Sequence, residues 1–255
     1  SPLLYFSVYS EKTDAGIIIT GSHNPADYNG FKFILPNRVF YGKDILELGV
    51  ICEKGKFIEG KGTRVKKNLE GNYITRLLEN IKFPKKIKIV WDPGNGATSN
   101  IISRLILELP GNHYLINAEI DGTFPNHHPD PTVEKNLIQL KDTIIKNDCD
   151  IGFAFDGDGD RLGIVDSQGR VIWGDQILAI LSRDVLRQNP GAKILGDVKC
   201  SSVFFEEVRN LGGNPIMWAS GHSLIKAKMI EEGALLGGEM SAFSHSVLDS
   251  GPEIA

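Results

Sequence analysis

The stretch "KIKIVWDPGNGA", residues 86–97, decides the fold class, because an apolar run ends in an aspartate and passes directly into a glycine-rich turn. The run predicts a buried strand, and the turn predicts the start of a helix near 97–109. Outward along the chain the alternation continues with "HYLIN" (113–117) as a strand, a helix near 133–147, and the strands "DIGFAF" (150–155) and "RLGIVD" (161–166). Strands that alternate with helices are typical of an α/β fold with mixed sheets covered by helices.

A second block after residue 173 repeats this alternation. Its predicted elements are helices over 174–188, 202–211 and 222–232 and the strands "AKILGDV" (192–198), "NPIMWA" (214–219) and "ALLGGEM" (234–240). The two blocks are interpreted as related α/β units. Ligands of such folds are expected outside the carboxyl ends of the strands. The region before residue 70 is less regular, with two short apolar runs and a lysine- and glycine-rich stretch (53–68) that indicates a solvated connection.

Composition limits the classes of function. The 255-residue chain is 41% hydrophobic and 24% charged, with a formal net charge of -4. It lacks the basic excess of a nucleic-acid binder, and no apolar stretch approaches the roughly 20 residues of a membrane span, so neither partner is expected. Cys52, Cys149 and Cys200 are odd in number and far apart, which predicts neither a disulfide framework nor a structural zinc site. These features favour a cytoplasmic protein, and no pattern assigns an oligomeric state.

The stretch "FDGDGDR" (155–161) carries the clearest chemistry. Asp156, Asp158 and Asp160 alternate with glycines, whose backbone freedom lets the three carboxylates converge on a small hard cation. We name residues 156–160 the Asp loop. A calcium EF-hand is excluded, because its required glycine and glutamate are replaced by arginine and serine. Magnesium is favoured over zinc, since no histidine or cysteine accompanies the acids. The alternative is a tight acidic turn between two strands.

The stretch "GIIITGSHNPADYNGFKF" (16–33) places Ser22 and His23 directly after an apolar strand. Alone, this pattern is typical of a turn. Followed by D-G-D-G-D-R and G-E-M-S, it resembles the α-D-phosphohexomutases, the family of phosphomannomutase and phosphoglucomutase. The order and spacing match over residues 10–241, including "DGTFPNHHPDP" (121–131) and "DVKCS" (197–201). The resemblance implies phosphoryl transfer between O1 and O6 of mannose or glucose phosphates, with these small hexose phosphates as partners.

The resemblance also implies roles around the reacting serine. Ser22 is expected to be the phosphoserine, with Mg²⁺ held against it by the three aspartates of the Asp loop and with glucose or mannose 1,6-bisphosphate as activator and intermediate. Lys32 matches an active-site lysine that neutralises charge or moves protons. His23 either orients its own loop or acts directly in the reaction. Arg161 is expected to pair with phosphate or with a carboxylate of the loop.

Further matches lie in the last block of the chain. The resemblance implies that a group of residues there contacts substrate: Lys199, Ser220, Gly221, His222, Glu239 and Ser241. The last two belong to the sugar loop (238–241), where a carboxylate and a hydroxyl can bracket neighbouring sugar hydroxyls. Met240 resembles the phosphomannomutase/phosphoglucomutase branch. The adjacent histidines of "HHPDP" are interpreted as part of a connector and not as metal ligands, since neighbours on an extended segment point to opposite sides.

The sequence departs from the family pattern near its end. Phe243 stands where the family has a histidine, and His245 follows two residues later. We name residues 20–25, "TGSHNP", the serine loop. The family also has an N-terminal segment before this loop and a fourth, C-terminal domain that grips the substrate phosphate. The resemblance therefore implies a partial chain: residues 1–69 as the rear of the first domain, 70–170 as the second and 174–255 as the third.

Such a chain is expected to be a poor mutase or an inactive one when it acts alone, because the anchor for the non-reacting phosphate is missing. Two other hypotheses remain open. One is a catalytically silent module that binds Mg²⁺ and sugar phosphate. The other is a phosphatase, in which the phosphoserine loses its phosphoryl group to water.

Overall fold

The computed structural model describes residues 1–36, 38–79, 81, 86–240, 245–248 and 251–253. The helices are α1 (Pro2–Ser10), α2 (Lys43–Lys54), α3 (Glu70–Leu78), α4 (Ser99–Glu108), α5 (Ile138–Asn147), α6 (Gly174–Gln188), α7 (Ser202–Asn210) and α8 (His222–Glu232), with a short 3-10 helix (Glu134–Leu137) before α5. The strands are β1 (Gly16–Ile19), β2 (Phe31–Ile34), β3 (Lys88–Asp92), β4 (Asn112–Leu115), β5 (Ile151–Phe155), β6 (Leu162–Asp166), β7 (Val171–Ile172), β8 (Lys193–Asp197), β9 (Asn214–Trp218), β10 (Leu236–Gly238), β11 (His245–Leu248) and β12 (Gly251–Glu253).

These strands form three sheets. β1 and β2 make an antiparallel pair, and the other two sheets have the orders β4-β3-β5-β6-β7 and β12-β11-β10-β8-β9. In the first five-stranded sheet, β3, β4 and β5 run parallel, whereas β6 and β7 join through antiparallel pairs. The prediction of α/β units with mixed sheets covered by helices is therefore confirmed.

The two five-stranded sheets share one topology. In the second sheet, β8 lies between β9 and β10 and pairs with both in parallel. Beyond β10, the strands β11 and β12 extend the sheet through antiparallel pairs. β8 therefore corresponds to β3, and β10 corresponds to β5. The Asp loop follows β5 and the sugar loop follows β10, so the two candidate binding loops occupy equivalent places in related units.

Apolar periodicity explains how each sheet is covered. On α5, Leu140 and Ile144 lie one turn apart, and both are fully buried against the first five-stranded sheet. On α6, Leu178 and Leu186 are buried with Phe204 of α7 in a separate core under the second sheet. Each unit thus has its own core, which leaves the carboxyl ends of its strands free to carry loops.

The sequence pattern did not predict helices α1, α2 and α3 or the short strand β7. In α1 the residues "LLYFSVY" are, apart from Ser7, aromatic or aliphatic, so their composition does not separate helix from strand. Pro2 at the first helical turn was the available helix signal. Among the described helices, none has both the length and the low charge that a membrane crossing requires.

Candidate active site

The serine loop leaves β1 and presents Ser22 in an unusual conformation. The backbone of Ser22 has φ 52, in the left-handed region that residues other than glycine rarely adopt. Its N–H donates to Thr20 Oγ1 at 2.8 Å, which stabilises the turn locally. Strain of this kind persists where the surroundings determine the conformation, and it concentrates at functional sites.

Ser22 makes its longest-range contact with the Asp loop. Its hydroxyl donates to Asp156 Oδ2 at 2.6 Å, although the two residues are 134 positions apart in the chain. His23 Nδ1 lies 3.2 Å from the same hydroxyl oxygen. Because the hydroxyl has one proton, and that proton goes to Asp156, the geometry fits a His23 N–H donating to the free lone pair of the serine oxygen.

Lys32 brings a positive charge from β2 into the Asp loop. Its Nζ lies 2.7 Å from Asp158 Oδ2 and 2.6 Å from Asp160 Oδ2. Burial opposes the charged form of Lys32, but Asp160 and Asp158 outweigh it and raise the lysine pKa. Burial likewise opposes ionisation of Asp158, and the ammonium of Lys32 outweighs it and lowers the pKa of that carboxyl. The ammonium thus occupies the position of a cation among these carboxylates.

Asp156 is the fully buried member of the loop. Its Oδ1 accepts the backbone N–H groups of Asp160 at 2.9 Å and Arg161 at 3.0 Å, so the turn closes on this carboxylate. Burial, and then the charges of Asp160 and Asp158, raise the pKa of Asp156. The site therefore concentrates more negative charge than Lys32 alone neutralises.

The donor set fits a magnesium ion. Each of the three aspartates offers a carboxylate oxygen, and these oxygens all lie within 4.8 Å of one another. Oδ1 of Asp158 is buried, and no hydrogen-bond donor reaches it among the residues described. Convergent carboxylates are hard oxygen ligands of the kind that suits Mg²⁺, and the unsatisfied oxygen of Asp158 is free to serve as one.

These residues lie at a cleft of about 480 Å³ whose lining comes from all three units, although the buried Asp156 and Asp158 are not part of that lining. The predicted site residues that line it are Ser22, His23, Lys32, Asp160, Arg161, Gly221, His222 and Glu239. Its volume lies in the usual range for small-molecule sites. The fold therefore brings together groups that are up to about 220 positions apart along the chain.

Arg161 and Glu239 both line this cleft. Arg161 Nη1 is 3.4 Å from Asp130 Oδ1, so this guanidinium pairs with a carboxylate outside the Asp loop. Glu239 Oε2 accepts the Gly221 N–H at 3.1 Å, and burial raises the pKa of the Glu239 carboxyl. Burial, and then the positive charge of Arg161, lower the pKa of His23. Both effects favour the neutral imidazole.

The other predicted residues stand apart from this lining. Lys199 and Ser220 belong to neighbouring loops of the last unit and do not line the cleft. Ser241 and Phe243 lie outside the described residues, and His245 begins β11. His127 Nε2 lies 2.9 Å from Oδ2 of Asp92, the last residue of β3, so this histidine of the connector pairs with a carboxylate at the end of a strand.

Sequence reasoning missed two residues beside the cleft. Tyr5 of α1 lines it, with a ring centroid 6.1 Å from that of His222. On the other side, Lys226 of α8 places Nζ 3.5 Å from the centroid of the Tyr5 ring. The signal available was the spacing of His222 and Lys226, which lie one turn apart on a helix.

Burial lowers the pKa of Lys226 to about 7 from its ordinary value of 10.5. The Lys226 amine therefore binds its proton more tightly in the unfolded chain than in the folded one. Burying the charged amine lowers the free energy of unfolding by the full amount below pH 7, and this loss of stability shrinks as pH rises toward 10.5. We expect Lys226→Met to raise the free energy of unfolding by at least about 1 kcal/mol at pH 6 and by much less at pH 10. Urea unfolding of parent and variant at both pH values measures this.

A matched control for that experiment lies on the same helix. Lys228 Nζ pairs with Glu231 Oε1 and with Glu232 Oε1, both at 2.8 Å. Lys228→Met removes favourable pairs and is expected to leave stability unchanged or slightly lower. A Lys226→Met variant that is equally destabilised at pH 6 and pH 10 would contradict the burial argument.

Three family domains match the chain. Residues 1–54 match "Phosphoglucomutase/phosphomannomutase, alpha/beta/alpha domain I", residues 71–169 match domain II, and residues 173–252 match domain III of the same description. The chain is 42% identical over 243 residues to the phosphoglucomutase of Neisseria meningitidis. This match covers 94% of the chain and 53% of the Neisseria protein. It is 41% identical over 241 residues to the phosphomannomutase/phosphoglucomutase of Pseudomonas aeruginosa, covering 94% and 52%.

A solved structure agrees with these sequence matches. The crystal structure of a phosphoglucomutase/phosphomannomutase family protein from Burkholderia thailandensis superimposes with a TM-score of 0.89 at 43% identity. The match covers 92% of this chain and 51% of that one. The chain spans about half the length of the relatives it matches.

Proposed function

The chain belongs to the phosphoglucomutase/phosphomannomutase family, and from this premise we propose that it carries the phosphoryl-transfer part of a phosphohexomutase. In the proposed reaction, phosphorylated Ser22 donates its phosphoryl group to a mannose or glucose phosphate. The hexose 1,6-bisphosphate then reorients in the cleft, and its other phosphoryl group returns to the Ser22 oxygen. The net result is movement of phosphate between O1 and O6 of the sugar.

The observation that carries this proposal is the 2.6 Å contact between Ser22 Oγ and Asp156 Oδ2. A serine hydroxyl is a weak nucleophile unless an adjacent base or metal site activates it. Here the strained serine loop delivers that hydroxyl to a buried carboxylate cluster from another unit. A simple acidic turn between two strands needs no such contact.

We propose that Asp156, Asp158 and Asp160 hold Mg²⁺. When bound, the ion neutralises charge on the transferred phosphoryl group and on the serine oxygen. In the proposed role of Lys32, its ammonium leaves its two carboxylates and pairs with phosphate oxygens. His23 is assigned to orient the Ser22 oxygen, because its ring nitrogen faces that oxygen and its pKa is lowered by burial.

We propose that the remaining cleft residues select the sugar phosphate. Glu239 is assigned to sugar hydroxyls, while Arg161 and His222 face the same space from two different units. Lys199, Ser220 and Ser241 are retained as substrate residues on the family resemblance, and hexose phosphates are the proposed partners. The three sheets support a division into units over residues 1–69, 70–170 and 174–255.

The test is phosphoryl transfer from glucose 1,6-bisphosphate in the presence of Mg²⁺. Intact mass followed by peptide mapping is expected to show a phosphoryl-sized gain on the peptide that contains Ser22, together with release of hexose monophosphate. A folded chain that shows no gain, and that carries no phosphate beforehand, would contradict transfer and leave a silent binding module. Free phosphate released without hexose isomerisation would identify a phosphatase instead.

Gly157 supports the contact between the two loops. A Cβ added there would lie 2.1 Å from the Ser22 backbone oxygen, closer than real contacts allow, so the serine loop would have to move. We expect Gly157→Ala to slow phosphorylation of Ser22 by at least about 100-fold, the cost of roughly 1 Å misplacement of a reacting group. Quench-flow or timed mass spectrometry measures the rate.

Gly122→Ala is the matched control, because open space surrounds that position. Its transfer rate is expected to equal that of the parent. Equal rates in Gly157→Ala and Gly122→Ala would show that the close approach at Gly157 has no part in positioning Ser22.

A further inference from the structure

Asp197 is a fully buried carboxylate that none of the roles proposed above uses. It ends β8, the strand that lies between β9 and β10 in the last unit. Among the described residues no lysine, arginine or histidine forms an ion pair with it. A buried charge of this kind is tolerated only when hydrogen-bond donors surround it.

Four donors from three loops meet at this carboxylate. Oδ2 accepts the Ser220 hydroxyl at 2.6 Å, from the loop after β9. Oδ1 accepts the backbone N–H of Lys199 at 3.2 Å and the thiol of Cys200 at 3.3 Å, both from the loop after β8. Oδ1 also accepts the Met240 N–H at 3.3 Å, from the sugar loop after β10.

The same three loops carry the substrate residues assigned to the last unit. Lys199 lies on the first, Ser220 and Gly221 on the second, and Glu239 on the third. A further bond from the Gly221 N–H to Glu239 Oε2, at 3.1 Å, links the second and third loops. Asp197 therefore lies where the positions of all three loops are fixed relative to one another.

The related unit repeats this arrangement. Asp92 ends β3, the strand equivalent to β8, and is also fully buried. Its Oδ1 accepts hydrogen bonds from the Gly94 N–H and from the Asn117 side-chain amide, both at 3.0 Å. Its Oδ2 lies 2.9 Å from His127 Nε2. A buried strand-end carboxylate that ties adjacent loops is thus a device present in both units.

We propose that Asp197 is a positioning residue that holds the three loops in the arrangement that recognises a hexose phosphate. The inference rests on the proposed function for its ligand, while the loop network itself stands on the contacts above. Both carboxylate oxygens are in use: Oδ1 accepts three of the four donors, and Oδ2 accepts the Ser220 hydroxyl. Asp197→Ala removes both acceptors and leaves the Lys199 and Met240 N–H groups without this partner.

The test compares the parent, Asp197→Ala and Asp92→Ala by hydrogen exchange and by ligand binding. In Asp197→Ala, we expect the amides of Lys199, Gly221 and Met240 to exchange at least about tenfold faster, from loss of about one hydrogen bond. The β8 amides of Ile194 and Leu195 should be unchanged. In Asp92→Ala, protection at residues 199, 221 and 240 should equal that of the parent.

Calorimetry with glucose 1-phosphate and, separately, with Mg²⁺ gives the binding readout. In Asp197→Ala, we expect the Kd for glucose 1-phosphate to rise at least about tenfold, whereas the Kd for Mg²⁺ should stay within about twofold of the parent. A general loss of structure would weaken both. Unchanged loop exchange together with unchanged glucose 1-phosphate affinity would overturn the proposal.

Two outcomes separate this proposal from the proposed function. If the parent binds no glucose 1-phosphate, the substrate assignment fails, and the exchange data still decide whether Asp197 holds the loops. If Asp197→Ala does not fold, Ser220→Ala removes one donor and keeps the carboxylate. Faster exchange at Gly221 in that variant supports the network, and unchanged exchange at Gly221 contradicts it.

Discussion

Replacing Ser22 with alanine is expected to abolish phosphoryl incorporation from glucose 1,6-bisphosphate. The substitution removes the oxygen that forms the bond to phosphorus, and loss of a nucleophile lowers rates by at least about 1,000-fold. The Ser22 hydroxyl also donates to Asp156, but three carboxylates of the Asp loop remain in the variant. Mass spectrometry should therefore show no phosphoryl gain, while calorimetry should show Mg²⁺ affinity close to that of the parent.

Ser10→Ala provides the matched control. The Ser10 hydroxyl is exposed and donates only locally, to the Ser7 carbonyl at 3.4 Å. Its loss should leave incorporation at the parental rate. Undiminished incorporation in Ser22→Ala, mapped to a different residue, would move the phosphoryl acceptor away from the serine loop and remove the basis of the proposed reaction.

The secondary structure of the later units could be predicted because local pattern and tertiary role agree there. α6 and α8 begin and end at the predicted residues, and β3, β8 and β9 lie within the predicted runs. Their apolar faces are regular, since each packs on one sheet. α1 was missed because it is apolar nearly all round and packs beside both β1 and α3, so no polar face marks its period.

The site residues also divide into those that a local sequence pattern could predict and those that it could not. Local chemistry predicted the Asp loop, since three alternate carboxylates have few other uses. The contact between Ser22 and Asp156 spans 134 positions, and no local pattern encodes it; only resemblance to a family linked the two loops. Tyr5, Asp197 and Lys226 were missed because each acts through neighbours that come from other units or loops.

The Asp loop itself is expected to bind Mg²⁺ far less tightly when Asp158 becomes asparagine. Removing partners outside the metal's own ligand shell costs about 10- to 100-fold in metal affinity, so loss of a direct carboxylate ligand should cost at least about 100-fold. Asp158→Asn also removes one of the two ion pairs that the Lys32 ammonium makes with the Asp loop. Calorimetric titration with Mg²⁺ at pH 8 measures the change, and parental affinity in this variant would exclude Asp158 as a ligand.

Lys32→Met should change Mg²⁺ affinity in the opposite direction. The ammonium lies within 2.7 Å of carboxylate oxygens on Asp158 and Asp160, so it competes with a metal ion for the same charges. Without it, Mg²⁺ affinity at pH 8 should rise by about tenfold, whereas phosphoryl transfer to Ser22 should fall because no ammonium can pair with the phosphate oxygens. Tighter Mg²⁺ binding together with slower phosphoryl transfer would distinguish the role of Lys32 as a competitor of the metal ion from its role as a partner of the phosphate oxygens. A variant that lost both would instead indicate that Lys32 only holds the apo loop in shape.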